Sequence, residues 1–200
     1  MGCLKHDFIW PGIALLALGL LPACAPLTMV TAIPGALYGV VADEFSDEEE
    51  SFPYSMDMTL AAIQKALLEM KLNIDLLEIQ EEGGYGMVFN NDKLDGEIIL
   101  TKQTERLTTA QIQVKSTTRE ESVERVIVQM VHAELKKLHK GAHIQKKQFH
   151  NLRAKPNIAA KRLGWFRPGS RLEVVKTTKK GWLKVKMPSG KTAYLKGTIH

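Results

Sequence analysis

Between residues 74 and 115 lie four short strand-like runs, two of them with the period-two alternation that leaves little freedom of fold. In residues 107–115, Ala110, Ile112 and Val114 interleave with Gln111, Gln113 and Lys115. Successive side chains of a strand point to opposite faces, so this run predicts a sheet with one apolar face and one wet face. Residues 74–81 and 85–90 flank Gly83-Gly84, a hairpin turn signal. Tyr85, Met87 and Phe89 alternate there with Gly86, Val88 and Asn90. Asn91-Asp92 and Asp95-Gly96 mark turns before a fourth run at 97–102.

Helical periods bracket these runs. Ile63, Ala66, Leu67 and Met70 recur at helical spacing behind Ser55 or Asp57 as a cap. Downstream, Thr118-Arg119-Glu120-Glu121 has the spacing of a capping box, in which hydroxyl and carboxylate satisfy each other's backbone amides. Val123, Val126, Ile127, Met130, Val131 and Leu138 then make one apolar stripe, with Lys136, Lys137 and Lys140 at the negative end of the helix dipole. The expected fold class is α+β: a four-stranded antiparallel sheet with two helices on one face, followed by a small all-β unit.

Charge divides the chain. Residues 140–200 hold sixteen Lys or Arg against one acid, Glu173, whereas residues 24–139 hold ten bases against twenty acids. A basic half of this kind meets an anionic partner or is neutralised by the acidic half of its own chain, and both readings stand.

The N-terminus reads as an export signal. Lys5 and His6 precede an uncharged apolar stretch at 8–21, and Leu20-Leu21-Pro22-Ala23-Cys24 closes it with a small residue before a cysteine. This resembles a bacterial lipoprotein signal, which implies removal of residues 1–23 and lipidation of Cys24. Ala25, in place of Asp, resembles lipoproteins sorted to the outer membrane and facing the periplasm. Residues 24–50 form an apolar tether and an acidic linker. Cys3 and Cys24 are the only cysteines, which leaves none for a disulfide or a thiol nucleophile in the mature chain. With Phe52-Pro53-Tyr54-Ser55 and the helix, strands, helix layout that follows, residues 24–139 resemble a family of small bacterial lipoproteins of unknown function. That resemblance brings no catalytic residues to the α+β domain at 51–139.

Residues 140–148 read as a basic linker, rich in trypsin sites. Beyond it stand Asn151-Leu152-Arg153, Pro156, Gly164, Gly169, the strand-like run at 172–176, Gly181-Trp182-Leu183-Lys184-Val185, the turn Pro188-Ser189-Gly190 and Ala193-Tyr194-Leu195. Residues 149–200 thereby resemble a bacterial SH3-like domain. The resemblance implies a five-stranded barrel that binds rather than catalyses, with peptidoglycan or an anionic envelope protein as partner. The contact residues it implies are Trp165, Tyr194 and Arg153, with Lys161 and Arg162 as basic neighbours. Trp165, beside Phe166, supports binding and packing equally, whereas Trp182 is expected to pack in the barrel.

His132, His139 and His143 are spaced by seven and four, but Gly141 interrupts the helix, so they read as solvated histidines and no metal is expected. The sequence has no glycine-rich phosphate loop, paired-carboxylate motif or nucleophile elbow, so neither an enzyme nor a cofactor is expected. Export argues against nucleic acid despite the basic half. Two function classes follow: a lipid-anchored envelope protein whose SH3-like domain binds the wall or a protein partner, or a structural component whose α+β domain oligomerises while the barrel only packs.

Overall fold

The computed structural model describes residues 49–170, 173–179 and 181–197. The signal, Cys24, the tether and most of the acidic linker lie outside the described residues. The chain runs β1 (Glu50–Phe52), α1 (Met56–Glu69), β2 (Asn73–Ile79), β3 (Tyr85–Asn90), β4 (Asp95–Thr104), β5 (Leu107–Lys115), α2 (Glu121–Lys137), β6 (His150–Arg153), β7 (Arg162–Phe166), β8 (Glu173–Lys179), β9 (Trp182–Lys186) and β10 (Thr192–Lys196).

All of these strands belong to one antiparallel sheet of ten, ordered β1-β5-β4-β3-β2-β7-β6-β10-β9-β8. This corrects the expected four-stranded sheet with a separate barrel behind it. The join is β2 against β7, where Leu76, Leu77 and Glu78 lie opposite Phe166, Trp165 and Gly164. Without β7, the outer side of β2 would present its amides and carbonyls unpaired, and the ladder satisfies them. Gly164 makes the approach feasible, because a Cβ there would stand 2.4 Å from the Leu77 carbonyl oxygen.

The two cores lie on opposite faces of this sheet. On one face α1 and α2 cover Ile74, Leu77, Met87, Phe89, Ile98 and Leu100, and this cluster also takes in Ile144 and Trp165 from the C-terminal part. On the other face Leu152, Phe166, Leu183, Val185, Met187, Ala193 and Leu195 gather around Leu76 of β2, with Val88 of β3 against them. The far strands thus curl back over the face expected to be wet.

A bulge in β2 makes the double use of that strand feasible. The register with β3 shifts between Ile74 and Leu76, so Asp75 is the extra residue. The shift lets Ile74 and Leu77 share the helix face while Leu76 serves the other. Asp75 is 4% exposed, and its Oδ1 accepts from Arg167 Nη2 and Ser170 Oγ, each at 2.6 Å. Asn90 Nδ2 donates to Oδ2, and the Asp75 carbonyl accepts from Arg167 N at 2.8 Å. A carboxylate taken out of water needs such a set of donors.

The expected hairpin forms, with β2 antiparallel to β3, and two other local expectations are corrected. Residues 80–84 join β2 to β3 through one 3-10 turn, Glu81–Gly83, and Glu82 joins Gly83 at positive φ (59° and 81°). The capping box does not close, since α2 starts at Glu121 with Glu120 as an N-cap that makes no side-chain cap bond. Glu124 instead reaches back, accepting from Val114 N at 2.9 Å and from Arg119 Nη2 at 2.7 Å. Finally, α2 buries Ile127, Val131 and Leu135, while Val126 stays 44% exposed at the margin of the stripe.

Candidate functional site

In β9 and β10 the alternation sorts side chains cleanly. Leu183, Val185, Ala193 and Leu195 point into the smaller core. Trp182, Lys184, Lys186, Thr192, Tyr194 and Lys196 therefore occupy the outward face. Register completes that face: Tyr194 lies opposite Lys184 on β9, and Lys196 opposite Trp182. On its other side Tyr194 lies opposite Arg153 of β6. Directly opposed residues have their Cβ atoms about 5 Å apart, so the two aromatic residues stand beside three cations, Lys184, Lys196 and Arg153. Trp182 and Tyr194 are both half-buried, while Lys186 and Lys196 are exposed. The Arg153 guanidinium is held in place by donating from Nη1 to the Ala160 carbonyl at 2.8 Å.

An aromatic–cationic face of this kind can stack flat, weakly polar surfaces and attract negative charge at once. It holds no nucleophile–base pair. Among the described residues no three His, Cys, Asp or Glu are grouped closely enough to hold a metal ion.

The sequence-derived residues separate into two places. Tyr194 and Arg153 belong to the outward face. Trp165 does not: it is 7% exposed in the larger core, with Lys146 Nζ 4.2 Å and the Arg162 guanidinium 5.3 Å from its ring centroid. Of its two readings, this is the packing geometry. Burial lowers the pKa of Lys146, and nearby Arg162 pushes the same way against the raising effect of Asp57. Lys161 and Arg162 are exposed at the entry to β7, and the Lys161 carbonyl accepts from Ala154 N at 2.9 Å. Cys24 lies outside the described residues.

Trp182, expected in the barrel core, lies half-buried outside the smaller core cluster. The signal was present, since Trp182, Lys184 and Lys186 share one parity and Leu183 and Val185 the other. Its partly open position follows from that parity. The basic linker is likewise not a bare connector. Ala142 and Ile144 are buried, and Gln64 and Gln145 exchange two hydrogen bonds of 2.9 and 2.7 Å. Of the histidines, His132 Nε2 lies 2.8 Å from Glu50 Oε1, with its ring 4.9 Å from that of Phe52, whereas His139 and His143 are exposed.

Beneath the β9–β10 turn sits a buried acid. Glu78 is 1% exposed, and its Oε1 accepts from Ser189 Oγ at 2.6 Å, while Oε2 has no hydrogen-bond partner. Burial pushes its pKa up, against the lowering effects of Ser189 and Lys191.

No curated protein matches the chain. A family model described as bacterial SH3 domain matches residues 150–199, the stretch that contains β6 to β10. The five C-terminal strands, and with them the whole aromatic–cationic face, fall in the stretch that matches the bacterial SH3 domain model, continuous here with the sheet of the preceding half.

Proposed function

We propose that this is a non-catalytic cell-envelope protein, anchored by acyl chains at Cys24, whose SH3 domain binds peptidoglycan or an anionic envelope partner through the face built from Trp182, Lys184, Tyr194 and Arg153. The observation that carries the binding reading is the cross-strand register, which collects two half-buried aromatic residues and three cations on one side of the domain. An outer-membrane position facing the periplasm rests on the lipoprotein-like signal and on Ala25. The assembly reading draws support from the β2–β7 ladder, which pairs a strand of the SH3-matching stretch with β2. The aromatic–cationic face lies off that seam, so packing leaves it available, and binding is the reading we prefer.

Two experiments test this. The mature full-length chain is mixed with purified peptidoglycan and sedimented, beside a Trp182→Ala, Tyr194→Ala double variant. We expect co-sedimentation at low salt and at least a tenfold loss in the variant, whereas equal binding by a folded variant would refute the assignment of the face. A Cys24→Ala variant is expected to leave the membrane fraction, because attachment depends on several acyl chains at about 0.8 kcal/mol per buried methylene.

A further inference from the structure

Away from the SH3 face, an open cleft of about 730 Å³ lies between α1, the C-terminal end of α2 and the segment that leads to β6. This volume is within the range of small-molecule sites. Its apolar lining includes Leu68, Ile74, Leu138 and Phe149, and Leu68 is the more telling because it is 58% exposed on a helix whose other leucines are buried. The charged lining has one sign. Lys65, Lys137, Lys147 and Arg167 line the cleft, and no Asp or Glu does.

Nearby acids already hold some of these cations. Glu134 accepts from Lys137 Nζ at 2.5 Å and lies 3.8 Å from Lys65 Nζ, and Lys137 foremost holds its carboxyl below the usual range. Arg167 gives one Nη2 bond to Asp75. Its side chain is still 30% exposed and lines the cleft, which leaves guanidinium surface open to a charge-assisted contact with an anionic head. An apolar lining, a rim of cations and a guanidinium at the cleft wall together specify a ligand with a hydrocarbon body and one negative head.

We infer that this cleft binds an anionic amphiphile, a long-chain carboxylate or a single-chain phospholipid, with its chain along Leu68, Ile74 and Phe149 and its head toward Arg167 and Lys147. The inference does not rest on the SH3 face, and it assigns the helix-covered half a ligand of its own.

Isothermal titration of the full-length chain tests it with four probes below their micelle concentrations: laurate, lauroyl lysophosphatidate, dodecyl maltoside and inorganic phosphate. We expect saturable one-to-one binding of an anionic amphiphile, at least tenfold weaker binding of the neutral maltoside, and none of phosphate alone. The ratio of laurate to lysophosphatidate affinity distinguishes a fatty carboxylate from a phospholipid head group as the source. Leu68→Glu and Lys147→Glu, both at exposed positions, should each weaken binding at least tenfold, with Trp182→Ala leaving it unchanged. Should Leu68→Glu not fold, as judged by circular dichroism, Lys147→Glu decides alone. Unsaturable binding, equal affinity for the maltoside or an unchanged Lys147→Glu affinity would overturn the inference.

Discussion

The helix-covered half and the SH3 half solve the same problem with unequal means. The first buries a large cluster under two helices. The second has eight buried residues, and one of them, Leu76, belongs to the first half. Small units bury a smaller share of their surface, so a fifty-residue SH3 domain has little stability to spare. Here the deficit is met by a neighbour: β2 supplies a backbone ladder on its edge and Leu76 on its face, and Trp165 and Ile144 return the exchange in the larger core. Dependence therefore runs mainly one way, from the C-terminal strands toward the helix-covered half.

Substitutions can break that dependence. The largest effect is expected from Asp75→Ala, which strips Arg167, Ser170 and Asn90 of a shared acceptor and leaves the guanidinium without its partner. Removing one member of a buried ion pair costs about 3 to 5 kcal/mol, and urea unfolding should show a loss near the lower figure because Arg167 is partly exposed. Leu76→Ala comes next. A buried leucine truncated to alanine costs about 2 to 5 kcal/mol, and near-ultraviolet dichroism should show the SH3 half disturbed first. Gly164→Ala is smaller but acts on the seam itself. The new Cβ would sit 2.4 Å from the Leu77 oxygen and 3.1 Å from Glu78 Cα, both backbone atoms, and overpacking of this kind costs about 1 to 3 kcal/mol. Hydrogen exchange should quicken at Leu76, Leu77 and Glu78 with the amides of β4 and β5 unchanged.

A fourth experiment sharpens the comparison through pH. Burial raises the pKa of Glu78 above its usual 4.5, so the folded chain holds this proton more tightly than the unfolded one. Stability from this group is full below about pH 4.5 and falls as pH rises through the folded pKa. Glu78→Gln should match the parent near pH 4 and unfold at higher urea concentration at pH 8. An equal difference at both pH values would rule out this coupling. The smallest effect on stability is expected at the outward face. Lys184→Glu should leave unfolding nearly unchanged yet weaken peptidoglycan binding. The parent's charge-driven share of that binding should fade as the Debye length shortens from about 10 Å at 0.1 M salt to about 3 Å at 1 M.

Much of each half was legible in the sequence, and the join between them was not. Period-two alternation located β5 at residues 107–115 exactly as far as its ends, and helical spacing found Ile63, Ala66 and Leu67 on the buried face of α1. Strand pairing across long separations leaves no such local trace. Nothing near Leu76 announces Phe166, and the bulge at Asp75 upsets the parity by which the faces of β2 are read. Gly164 in the middle of an apolar run was the nearest signal of a close backbone approach. At the site, Tyr194 and Arg153 came through the family resemblance. By strand parity Trp182 lies on the outward face although its size favours a core, and Trp165 is drawn into a core that the sequence assigns to another unit.

Joining the halves also changes what the protein shows to its neighbours in a crowded compartment. Two independent sheets would have four open edges, each a template for another chain, whereas among the described residues the single sheet has two. One is β1, with three described residues. The other is β8, where Val174 and Val175 remain 37% and 51% exposed. The seam at β2 and β7 thus removes two sites of aggregation as well as holding the halves together.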